Sequence, residues 1–93
     1  MNKLETHRQI CRELSYLYET KNRDYGDSFC ITRKKYPNVV AIRLEDKLNR
    51  LTTLLRSKEE TVKDESVLDT LRDIANYAIM EIVERVDDDE DEE

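Results

Sequence analysis

Apolar residues recur along this chain at intervals of three and four, in three separate blocks. In the first block, Leu4, Cys11, Leu14 and Tyr18 form one stripe, widened by Ile10 and Leu17. Glu5, Arg8 and Arg12 face away from it. This spacing predicts an amphipathic helix over about 3–21. The second block places Ala41, Leu44, Leu48, Leu51 and Leu55 on one face and Arg43, Asp46, Asn49, Arg50 and Thr53 on the other. It predicts a helix from just after Pro37-Asn38 to about Arg56. The third aligns Val67, Leu71, Ile74, Ala75, Ala78 and Ile82, and predicts a core-facing helix from Asp64 or Glu65 to about Val86. The short VVAI run fits the second helix better than a strand. The expected fold is all-α, with three main amphipathic helices.

The only Gly and the only Pro fall within residues 22–38, which form the main loop, with a short helix near Ser28–Lys35. This loop carries Tyr25, Phe29 and Tyr36, three of the six aromatic residues, so it is expected to pack over something rather than to hang free. Residues 57–63 read as a polar connection.

Ninety-three residues make one small domain, whose core is marginal alone. A homodimer or higher homo-oligomer is therefore expected. No run approaches a membrane span, and MNKLETHRQI lacks the apolar stretch of a signal peptide, so the expected location is the cytoplasm. Cys11 and Cys30 form no metal-ligand pattern and read as free thiols, Cys11 in the core and Cys30 in the loop. A lone His7 on the apolar arc reads as a hydrogen-bonded edge residue rather than a ligand.

The net charge of −6 belongs to one end of the chain. Residues 87–93 are all acidic, and without those seven the 22 acidic residues become 15, against 16 Lys and Arg. The sequence thus reads as a near-neutral domain over 1–86 and a disordered, solubilising acidic tail over 87–93. Nothing else supports a partner-binding or nucleic-acid-mimicking role for the tail, and direct nucleic-acid binding is not expected.

Candidate chemistry concentrates in the third helix. Glu65, Asp69, Asp73 and Asn76 recur at spacings of four, four and three, which puts them on one helical face. Like charges at i, i+4 oppose a helix by about 0.2–0.5 kcal/mol per pair. A helix start would welcome Glu65 and Asp69 but leaves mid-helix Asp73 and Asn76 unexplained. The row is either a solvated face or the acidic wall of a Mg²⁺ site. Across a cleft it could meet Asp46, with Arg43, Lys47 and Arg50 nearby to neutralise phosphate charge.

Three motifs in order, KNRDYGDSF (21–29), RLEDKLNRL (43–51) and DESVLDTLRDIANYAIM (64–80), resemble the nucleotide-modification-associated domain of phages and bacteria. That group resembles in turn the all-α, MazG-like nucleoside triphosphate pyrophosphohydrolases. The resemblance spans about residues 10–83. It implies a MazG-like helical bundle completed by dimerisation, Mg²⁺ (Mn²⁺ as an alternative) and cleavage of a (deoxy)nucleoside triphosphate to monophosphate and pyrophosphate. MazG-like enzymes hold the metal with ExxE and ExxD motifs. Here the later motif aligns through Asp73, with Thr70 three positions before it and Asp69 displaced by one. The earlier has only Glu45, Asp46 and Asn49 as nearest equivalents. The resemblance implies Asp46, Asp69 and Asp73 as metal ligands and Glu65 as a further ligand or the catalytic, water-orienting base. It implies Lys21, Asn22, Asp24 and Tyr25 of the K-N-x-D-Y-G signature, with Lys47, Arg50 and Asn76, as substrate-binding residues. Asp24-Tyr25-Gly26 reads equally as a plain turn. Tyr77 reads as core packing.

Three functions follow as expectations: a Mg²⁺-dependent hydrolase, a non-catalytic nucleotide-binding or sequestering protein, and a small helical interaction module.

Overall fold

Helix signals in the sequence become four helices in the computed structural model, which describes residues 2–58 and 60–91, with side chains for 2–24, 26–58 and 65–88. They are α1 (Lys3–Tyr25), α2 (Ser28–Lys35), α3 (Val39–Arg56) and α4 (Glu60–Asp91). Every regular element among the described residues is a helix, and none is long and apolar enough to cross a membrane. α2 and α3 match their expected bounds. α1 runs four residues past Lys21, to Tyr25. α4 begins before Asp64 and continues through Asp91, where the sequence suggested an end near Val86 and a disordered tail.

Local chemistry fixes the ends of α1. Asn2 caps it, its Oδ1 accepting from the Glu5 N–H at 2.8 Å. At the other end Gly26 takes φ 63°, and the N–H groups of Gly26 and Asp27 both donate to the Asn22 carbonyl, at 3.0 and 3.3 Å. Asp27 follows with φ 58°, a left-handed backbone that Asp tolerates better than most residues. These two residues turn the chain from α1 into α2.

α3 and α4 form the principal packed pair. Leu44, Leu51 and Leu54 supply half-buried apolar contact from α3. Lys47 Nζ meets Asp73 Oδ2 at 3.2 Å, and Arg50 Nε donates to Thr70 Oγ1 at 3.3 Å. Thr70 is almost wholly buried, and its hydroxyl donates to the Ser66 carbonyl at 2.7 Å. α2 is tied to α4 by charge. Arg33 grips Glu81 with two hydrogen bonds of 3.1 and 2.9 Å and reaches Asp88 with a third of 2.9 Å. Arg85 adds a bond to Glu81 at 2.7 Å.

The interior is thin. Only Leu14 and Val39 are buried apolar residues among those described. Cys11, expected in the core, is exposed and lies 3.8 Å from His7 Nδ1. The orientation of α4 also differs from its expected one. The residues it buries are Thr70, Asn76, Glu81 and Glu84, all polar, while Leu71 and Ile82 of the expected core stripe are exposed. The rest of that stripe, Val67, Ile74, Ala75 and Ala78, is half-buried. The reason is that Asp73, Thr70 and Glu81 have cationic partners on α2 and α3, which turn the polar face inward. The result is an open shape of 50 × 32 × 23 Å with a radius of gyration of 15.4 Å, against about 12 Å for a compact chain of this length.

The Arg33–Glu81 pair generates a stability prediction. Glu81 lies below the ordinary glutamate value of 4.5, chiefly because Arg33 hydrogen-bonds its carboxylate, with Arg85 assisting and burial opposing. A depressed folded pKa gives stability that is complete above the unfolded value and is lost as pH falls through the folded one. Arg33→Ala is expected to lower unfolding stability by about 1.5–3 kcal/mol at neutral pH, the range for hydrogen bonds to charged groups. Urea unfolding should show that loss shrinking below pH 4.5, as Glu81 protonates.

Candidate functional site

A cleft of about 360 Å³ opens where all four helices meet. The last turns of α1 supply Tyr18, Lys21 and Asn22. α2 supplies Ser28, Phe29 and Thr32, and the first turns of α3 supply Val39 and Arg43. Asn76, Tyr77 and Met80 of α4 form the floor. Phe29 packs against Tyr77 with ring centroids 6.3 Å apart and planes tilted by 47°. The aromatic-rich segment before α3 does therefore pack over something, and that something is α4.

The cleft combines three kinds of recognition. Phe29 and Tyr77 give it an apolar, aromatic wall. Asn76 is 8% exposed and lines the cleft, and no hydrogen bond among the described residues engages its amide. An amide offers two donors and an acceptor, and those of Asn76 stay open to solvent at the cleft, where a polar ligand can meet them. Lys21 and Arg43 are exposed at the cleft, and neither joins an ion pair among the described residues. A second cleft of about 210 Å³ shares Tyr18, Asn76 and Met80 with the first.

Of the residues expected to bind substrate, the structure gathers Lys21, Asn22 and Asn76 here. Lys47 and Arg50 lie outside, engaged with Asp73 and Thr70 in the α3–α4 contact. Asp24 is exposed, and the Tyr25 side chain lies outside the described residues. Within Asp24-Tyr25-Gly26 the turn reading holds for Gly26, whose positive φ ends α1. Sequence reasoning missed Tyr18, Phe29, Thr32 and Tyr77 as site members, whereas Arg43 was expected near Asp46 as a group that neutralises phosphate charge. Phe29 had a signal in its loop position. Tyr77 had none, since a cleft aromatic and a core aromatic share the same spacing.

The expected metal set is not gathered. Asp69 is 68% exposed and pairs with Arg72 at 3.4 Å, one turn along its own helix. The α3 side chain that meets Asp73 is Lys47, not Asp46, which is exposed. Glu65 is exposed as well. Because α4 starts at Glu60, Glu65 and Asp69 do not occupy its first turn, and the helix-start account of them fails. The like-charge cost along the row is relieved instead at Asp69 by Arg72 and at Asp73 by Lys47.

Among the described residues the ligand atoms that do converge belong to Asp27, Cys30 and Glu84, all within 4.8 Å of one another. Asp27 stands at the N-cap of α2 without capping it, its carboxylate turned to this group instead. A thiol is a soft ligand that does not suit Mg²⁺, which takes oxygen. Neither set therefore fits the expected Mg²⁺. The group works instead as a close contact between α2 and α4, with Cys30 set against Glu84. The Cys30 thiol lies above its ordinary value because it donates to Glu84 and is partly desolvated. Tyr18, next to it, is raised by burial and then by Asp27 and Glu84.

Thiolate is the reactive form of cysteine. Iodoacetamide at mildly alkaline pH is expected to label exposed Cys11 roughly ten times faster than Cys30. Peptide mass mapping over time reads both rates, and equal rates would contradict the Cys30–Glu84 contact.

A family model described as nucleotide modification associated domain 1 matches residues 21–84, 64 of the 93. No curated protein and no solved structure matches the chain. The matched span takes in every cleft residue except Tyr18. The chain thus belongs to the nucleotide modification associated domain 1 family.

Proposed function

We propose that this protein binds a nucleotide in the four-helix cleft and holds it without hydrolysing it. The observation that carries this reading is the solvent-accessible Asn76 amide, which has no hydrogen-bond partner among the described residues, set beside an aromatic wall and two cations that join no ion pair among those residues. A nucleotide has the matching parts: a flat base for Phe29 and Tyr77, polar base edges for Asn76, and phosphates for Lys21 and Arg43. The family's association with nucleotide modification supports the same class of ligand.

Binding is favoured over pyrophosphohydrolysis by the acids. The MazG-like reaction needs carboxylates that converge on a metal beside the phosphates. Asp46 and Asp69 are exposed, and Asp73 is neutralised by Lys47. No catalytic step is assigned to them. A bundle of MazG-like type, closed by a second copy of the chain, remains the architecture proposed for the assembled protein. Its open shape supports that reading.

Calorimetry against natural and modified (deoxy)nucleotides is expected to show binding. Arg43→Ala and Lys21→Ala should each weaken it about 10–100-fold, the value of one charge-assisted hydrogen bond. Asn76→Ala should weaken base discrimination. With Mg²⁺ or Mn²⁺ present, no pyrophosphate should be released. Pyrophosphate release that Asp73→Ala abolishes would replace this reading with the hydrolase. The absence of any nucleotide binding would end both.

A further inference from the structure

We propose that the outward face of α4 is the seam of an antiparallel homodimer. This rests on the proposal above that a second copy closes the bundle, and it is independent of the nucleotide reading. Leu68, Leu71, Ile79, Ile82 and Val86 are 44–60% exposed. With half-buried Ala75 they fall within an arc of about 80° on one side of α4, over a length of about 27 Å. The cleft residues Asn76, Tyr77 and Met80 leave the helix on other sides, while Ile79, at the edge of the arc, also borders the second cleft against α1. One helix thus carries a polar inner face that is covered and an apolar outer face that is not.

The area demands a cover. A compact chain of 11.1 kDa exposes about 5,700 Å², whereas this one exposes 7645 Å², roughly 2,000 Å² more. A standard interface removes about 800 Å² from each partner, so the excess is enough for a stable dimer. The thin interior makes such a cover a condition of folding, because two buried apolar side chains among the described residues do not sustain a small domain. A partner needed for folding must be present whenever the chain is made. A second copy of the chain meets that condition.

The spacing of the stripe is self-complementary. Residue 77 lies midway between Leu68 and Val86 and midway between Ala75 and Ile79. A twofold axis at that level sets Leu68 against Val86 and Ala75 against Ile79, with Leu71 and Ile82 opposed to within one residue. This is the isologous arrangement of a twofold dimer. Charge selects the direction. A parallel pair would lay the two all-acidic 87–93 runs side by side, whereas an antiparallel pair carries them to opposite ends. It also brings each run toward the positive pole of the other α4.

Sedimentation velocity is expected to give a dimer at micromolar concentration. Leu71→Glu/Ile82→Glu should give a species of half the mass with reduced helical circular dichroism. Ile31→Glu, equally exposed but on α2, should stay dimeric. Should the double variant not fold, cysteine pairing decides. An equimolar mixture of Leu68→Cys and Val86→Cys proteins should form a disulfide between residues 68 and 86 that neither forms alone, with wild type as the control for Cys11 and Cys30. A monomeric wild type overturns both the seam and the closed bundle. A dimer that survives Leu71→Glu/Ile82→Glu overturns the seam alone, and a 68–68 disulfide overturns the antiparallel arrangement. Loss of nucleotide binding with the dimer intact counts against the cleft and not against the seam.

Discussion

The guanidinium of Arg33, held between Glu81 and Asp88, is the interaction on which the arrangement depends. α2 is eight residues long and has no buried side chain of its own. Apolar contact alone would not hold so short a helix in place. Arg33 supplies the hold, with both members of the Arg33–Glu81 pair largely shielded from water. Burying two charges is costly unless geometry and further hydrogen bonds compensate, and here the two-point grip and Arg85 provide both. With α2 fixed, Phe29 reaches Tyr77 and Cys30 reaches Glu84. The roof of the cleft is therefore positioned by an ion pair that lies outside it.

The same interaction explains why α4 faces as it does. Its inner surface is organised around Asp73, Thr70, Glu81 and Glu84, each with a partner on another helix. Polar groups that are satisfied can be enclosed at little net cost. The apolar side chains then occupy the opposite side of the helix by simple periodicity. In a solitary domain this would be inverted. As one half of the proposed dimer it is the expected distribution, since the unit that would bury apolar surface is the pair.

Much of the fold was legible in the sequence. α2 and α3 could be bounded to the residue, because Pro37, Asn38 and the leucine stripe mark α3, and the aromatic-rich segment marks α2. The family and three of the cleft residues, Lys21, Asn22 and Asn76, were legible from motif order. The orientation of α4 was not. Periodicity identifies an apolar face but does not say whether it meets this chain or another one. Nor was the fate of the acidic row. Asp69 and Asp73 share a face on the wheel, yet Arg72 and Lys47 take them separately. Such partners come from the wheel of the same helix and from the register against α3, and spacing within the acidic row reports neither.

The joint at Gly26 and Asp27 has a consequence for the order of events. It is closed by hydrogen bonds that span only four and five residues, from Gly26 and Asp27 back to Asn22. Contacts this local form early and at small entropic cost. Lys21, Asn22, Ser28 and Phe29 can thus be set relative to one another before α4 docks. Asn76 and Tyr77 join them across about fifty residues of chain, at a larger loop-closure cost. Half of the cleft is local structure and half is a product of assembly. A ligand that touched both halves would act as a clamp across that long-range contact. Its occupancy would then be a record of whether the chain has finished folding.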